Sequence, residues 1–141
     1  MNAPVYTTEI LRLAASLPPP ADDFGPVDCA ANRRSATCGS RLTVFVKLDQ
    51  AGRIAALTQD VHACAFGQAS AALVAKHAVG NDRAAIETAL AALSGWLAGE
   101  RHDPGAWPGL EALAPARSKT GRHGAILLPF RALAAALGSP L

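Results

Sequence analysis

Cys29, Cys38 and Cys64 are the only thiols in this 141-residue chain, and they form neither a disulfide framework nor a complete zinc motif. Each is therefore a candidate metal ligand or nucleophile. Cys64 stands in "VHACAFGQASAALVAKHAVG", just ahead of a run that reads as a helix of small residues. After Phe66, the small residues Gly67, Ala69, Ser70, Ala71 and Ala72 come before the next bulky apolar side chains, Leu73 and Val74, so one helix face is nearly bare. A helix start presents unpaired backbone N–H groups and the positive end of the dipole. Both favour thiolate, the form that binds metal or attacks sulfur. His123, in "GRHGAILLPF", places an imidazole at the start of another helical stretch.

The elements around these residues decide whether they can meet. "RLTVFVKL" alternates Leu42, Val44, Val46 and Leu48 with Thr43, Phe45 and Lys47, the pattern of a half-buried strand. "DQAGR" is a turn, and "RIAALTQDV" returns as the partner strand. In an antiparallel hairpin the residue before the first strand and the residue after the second lie at the same end. Cys38 and Cys64 are thus expected to be neighbours in space. The stretch "ADDFGPVDCAANRRSATCGS" reads as irregular and puts Cys29 and Cys38 on loop or edge positions ahead of the first clear strand.

Helical spacing marks the remainder. Ile10, Leu13, Ala14 and Leu17 form a short helix that Thr7 or Thr8 can cap and "PPP" ends. The helix after Cys64 is expected to stop at Gly80. Asn81 or Asp82 caps the next, whose stripe is Ile86, Leu90, Leu93 and Leu97. A connection punctuated by proline and glycine, with one helical turn at "GLEAL", leads to the last helix, "HGAILLPFRALAAALG". Pro129 is tolerable there if it falls near the first turn. The order of helix, short antiparallel sheet, then three or four helices reads as α+β, with helices on one sheet face.

Composition narrows the function classes. The length fits a single domain over residues 1–141. Aromatics make up 5% of the chain, which implies close packing through small side chains. The net charge is +2, with arginines scattered and no basic block interleaved with aromatics, so neither nucleic acid nor membrane is an expected partner. No window approaches a bilayer span, and "MNAPVYTTEIL" lacks the order of a signal peptide, which points to the cytoplasm. His62 reads as a solvated strand-edge residue, His77 and His102 lack convergent partners, and Trp96 and Trp107 read as packing over the core or anchoring the long connection.

The run "TCGSRLTVFVKLDQAGRIAALTQDVHACAFGQASAALV" resembles the iron-sulfur cluster assembly scaffold family, the IscU, SufU and NifU amino-terminal domain group. "TCG" before a strand, a "D-x-x-G" hairpin and a cysteine opening an "A-S" helix carry the likeness, and "VYTTEILRLAASLPPP" resembles the family's first helix and proline-rich turn. The resemblance extends from about Tyr6 to Leu137. It implies a SufE/NifU-like α+β fold, a short antiparallel three-stranded sheet packed against four or five helices. It also implies one surface site for iron, an iron-sulfur cluster or zinc, built from Cys38, Cys64 and His123. The family's aspartate after "C-G" is Ser40 here, and its third cysteine, after the histidine, is Gly124.

The partners that the resemblance implies are a cysteine desulfurase and iron-sulfur acceptor proteins. "GLEALAPAR" is closer to the SufU branch. The "L-P-P-V-K" segment that a dedicated Hsp70 chaperone reads in the IscU branch is absent, so that partner is not implied. Cys29 is expected to be a bystander, its alternatives being a fourth ligand or a thiol that pairs with Cys38 on oxidation. Two functions follow: a non-enzymatic scaffold or carrier, or a degenerate interaction module that docks on an assembly protein without building clusters. A zinc hydrolase lacks a carboxylate placed as general base.

Overall fold

The computed structural model describes residues 6–36 and 39–138; Cys38 lies outside the described residues. Three strands, β1 (Cys29–Arg34), β2 (Arg41–Leu48) and β3 (Ile54–His62), form an antiparallel sheet in the order β1-β2-β3. Four α-helices, α1 (Thr8–Ala15), α2 (Ala65–His77), α3 (Arg83–Leu97) and α4 (His123–Gly138), accompany it, with 3₁₀ segments at Leu110–Ala116 and Thr120–Arg122. The α+β arrangement with a three-stranded antiparallel sheet is the one expected.

Alternation in β2 sets the sheet's two faces. Leu42, Val44 and Val46 are buried and face the core, while Arg41 is exposed and Thr43, Phe45 and Lys47 are half-buried on the other face. A register irregularity between Lys47 and Leu48 leaves Leu48 half-buried. The β2–β3 turn is tied by the Asp49 carboxylate, which accepts from the N–H groups of Ala51 and Arg53 at 2.9 Å each, with Gly52 at φ +79°. Helix α4 packs on β1 and β2, and α2 packs on β3.

Of the expected loop or edge positions, Cys29 takes the edge: β1 is an edge strand of the sheet. It opens β1 opposite Val46 and is fully buried among the core side chains. "CAANRR" has no β-branched or aromatic residue, so pairing with β2, not local propensity, makes it a strand.

The caps are as anticipated in type. Thr7 Oγ1 accepts from Ile10 N–H at 3.1 Å, and the Asp82 carboxylate accepts from Ala85 N–H at 2.9 Å. Helix α2 ends at His77, earlier than Gly80, because the Asn81 amide donates to the carbonyls of His77 and Ala78 at 2.8 and 3.2 Å. Gly80, at φ +91°, then donates its N–H to Ile54 O at 2.8 Å and fastens the turn to the start of β3.

Pro129 also differs from expectation. Helix α4 begins at His123, so the proline lies past the first turn and supplies no N–H to the carbonyl of Ala125. The neighbouring α2 meets the helix one residue on, at the carbonyl of Ile126. Ser70, fully buried, donates its hydroxyl to Ile126 O at 2.6 Å. A Cβ added at Gly67 would stand 2.6 Å from Ala63 Cβ and 3.2 Å from Ala125 O, so only glycine permits this approach. Trp107 anchors the long connection: its indole N–H donates to Leu73 O at 3.1 Å, and its ring meets Phe130 edge-on at 5.1 Å. No helix among the described residues is long and apolar enough to cross a membrane.

Candidate metal centre

Sheet register fixes where the site's first components lie. Arg41 pairs with Arg34 on one side and His62 on the other, so the β1–β2 loop and the exit from β3 share one sheet end. The loop is closed by Ser35 N–H donating to Ser40 O at 2.8 Å, and Gly39 takes φ +72°. Cys38 falls between these residues in sequence and outside the described ones.

Cys64 follows β3 as the N-cap of α2, with extended backbone (φ −67°, ψ 174°) and no capping bond from its side chain. Its thiol is free and half-buried. A serine or aspartate at this position would usually spend its side chain on the helix N–H groups. The Cys64 sulfur is left for other chemistry.

His123 is oriented from behind. Its Nε2 lies 2.9 Å from Ala116 O and 3.1 Å from Arg117 O. Carbonyl oxygens only accept, so Nε2 carries the proton, and in the neutral ring Nδ1 keeps its lone pair. A ligating histidine is commonly held in this way, with the other ring nitrogen donating to a carbonyl. Arg117 steadies the carbonyls in turn: its Nε donates to Trp96 O at 3.0 Å, its Nη2 to Arg101 O at 3.3 Å, and its guanidinium lies 5.1 Å from the Trp96 ring centre. Sequence reasoning did not find these supports, because backbone carbonyls of an irregular segment carry no residue-type signal.

The Gly67–Ala125 approach brings the starts of α2 and α4 together, and Cys64 and His123 each lie within a turn of it. Among the described residues, no group of three or more His, Cys, Asp or Glu side chains converges to hold a metal ion. Ser40, where the family has its carboxylate, is buried at 4% exposure, and Gly124 contributes no side chain.

Cys29 belongs to the core instead. Burial, with the Asp28 charge adding to it, pushes its thiol above the ordinary value. It opens β1 at the end away from the loop, roughly 16 Å from Arg34 at about 3.3 Å per strand residue. It is therefore no fourth ligand. His62 is half-exposed and sits 3.1 Å from the Asp60 carboxylate. A cavity of about 750 Å³ lies between α3 and the connection, where His77, Arg101 and Trp107 line it; it does not reach Cys64 or His123.

No family profile and no curated protein matches the sequence. Solved structures do. A nitrogen-fixing NifU-like protein (N-terminal) from Brucella abortus superposes with a TM-score of 0.87 at 27% identity, over 95% of this chain and 92% of that one. A proposed iron-sulfur cluster assembly scaffold protein for the SUF system, SufU from thermophilic Fervidobacterium islandicum, superposes with a TM-score of 0.79 at 18% identity, over 94% and 96%. A third, described only as a hypothetical protein, gives 0.63 at 19% identity, over 93% and 97%. The shared fold agrees with these likenesses, and the chain resembles the IscU, SufU and NifU amino-terminal domain group, with Gly124 where that group has its third cysteine.

Proposed function

We propose that this chain is a non-enzymatic scaffold or carrier for iron-sulfur cluster assembly, a single domain working in the cytoplasm. Its cargo is iron or a nascent cluster, with zinc as the alternative occupant. Cys38 and Cys64 supply thiolates, and His123 supplies Nδ1. The observation that carries this reading is the pairing of an uncapped Cys64 thiol at the start of α2 with a His123 ring whose Nε2 is already committed to carbonyls.

Thiolates suit iron and zinc, and imidazole suits both. Two sulfurs and one nitrogen fall short of the four donors of a closed structural zinc site, which leaves a position for exchange. Ser40 and Gly124 supply no replacement ligand, so cargo is held less tightly than by a complete site. A cysteine desulfurase would provide the sulfur and acceptor proteins would take the cluster. The SufU-like and NifU-like neighbours support that role.

A second reading is an interaction module that keeps the fold and docks on an assembly protein without building clusters. The burial of Ser40 favours it, since a short inward hydroxyl stands where the family presents a carboxylate. Anaerobic reconstitution with iron and sulfide separates the two. The scaffold reading predicts visible charge-transfer absorption in the folded wild type and its loss in Cys64→Ala. A folded wild type that stays colourless while still binding a desulfurase supports the module.

A further inference from the structure

The helices that contact the sheet lie on the face bearing Leu42, Val44 and Val46. The opposite face is partly covered towards its far end, where Ala21 N–H donates to Thr58 Oγ1 at 2.9 Å and Lys47 Nζ stands 4.4 Å from the Phe24 ring centre. At the other end, beside the Ser35–Ser40 loop and the exit to Cys64, the described residues Arg34, Arg41 and His62 are exposed.

That end carries a basic row. Arg34 is directly opposite Arg41, and Arg41 is directly opposite His62. Directly paired residues share a face, and Leu42 faces the core, so this row faces outward. All three residues are exposed. Like charges placed opposite each other weaken a strand pair, and among the described residues no carboxylate pairs with either arginine. Among the described residues, neither Arg34 nor Arg41 makes an ion pair or a side-chain hydrogen bond. Asp60, one row behind with Asn32 and Thr43, is engaged by His62.

We propose that the Arg34–Arg41–His62 row docks an acidic helix face of a partner protein at the edge of the metal centre. Guanidinium groups match carboxylates in bidentate geometry. Neighbouring strands hold Arg34 and Arg41 about 4.5–5.5 Å apart at Cα. Carboxylates one turn apart on a helix are about 5–6 Å apart at Cβ, so two of them can meet the two arginines together. Nucleic acid fits less well: the row is one residue deep, the Asp60 carboxylate shares its face, and no basic stripe continues beyond it. The proposal deepens the scaffold reading by giving the partner's chemistry, yet it needs no metal at the site.

The test is a low-salt NMR titration of the full chain with an alanine-rich helical peptide bearing glutamates one turn apart. Shifts concentrated on Arg34, Arg41 and His62 are expected. Arg34→Gln/Arg41→Gln should weaken binding by about fivefold, the loss of two exposed charge pairs of about 0.5 kcal/mol each. The control Arg12→Gln/Arg53→Gln should not, and circular dichroism checks that both variants are folded. Equal weakening by the control, no saturable shift, or tighter binding of an oligonucleotide or anionic vesicle of matched charge overturns the proposal. Metal content measured on the same samples separates the two ideas: peptide binding by metal-free protein that cannot be loaded leaves the docking row standing and removes the scaffold reading.

Discussion

Cys29 and Cys64 show how position decides what a thiol does. Cys64, half-buried and uncapped, keeps its sulfur available, whereas Cys29 is fully buried and behaves as a small apolar side chain. Burial first, and the Asp28 charge second, raise the Cys29 thiol above its ordinary value of 9.0. The native state therefore holds that proton more tightly than the unfolded chain. Its contribution is full below the unfolded value and is lost as pH rises through the raised folded one. At neutral pH, Cys29→Ala should cost about 1–2 kcal/mol in urea unfolding, the scale of a small deletion in a packed core. The difference from wild type should narrow above pH 9; a constant gap would contradict the assignment. Cys64 was legible in sequence because helix starts have a signature. Cys29 was not, because only pairing with Val46 reveals its strand.

At the scale of elements, the α2–α4 seam holds the two described site residues in relation. The bare face that "GQASAA" presents in sequence is what the seam requires, since Gly67 meets Ala125 and Ser70 serves the carbonyl of Ile126. Gly67→Ala puts a methyl group where Ala63 Cβ already stands at 2.6 Å. It should destabilise the fold by about 1–3 kcal/mol, an overpacking cost, measured as a lower urea midpoint with unchanged slope. An unchanged midpoint would mean that the seam is looser than described. The hairpin, the caps and the final helix were all readable from periodicity. The length of α2 was not, because the side-chain amide of Asn81 closes its last carbonyls, nor was the Ser70 bond to Ile126, which joins residues far apart in sequence.

For the whole molecule, sheet and helices divide the labour. Helices cover one sheet face and build the core, and the sheet's loop end carries the exit to Cys64 together with the arginine row. The outline of the site follows from antiparallel register, which sequence alternation already implies. The orientation of His123 does not follow, because it depends on carbonyls in the irregular Leu110–Arg117 segment and on Arg117 reaching Trp96. The central claim is that Cys38, Cys64 and His123 hold one metal-based cargo. Metal per chain, measured in protein purified without oxygen, tests it most directly. The account predicts about one iron or zinc ion, or one cluster, per wild-type chain, lost in folded Cys64→Ala and Cys38→Ala and reduced in His123→Ala. Metal retained undiminished in folded Cys64→Ala, or a folded wild type that holds none, would contradict it.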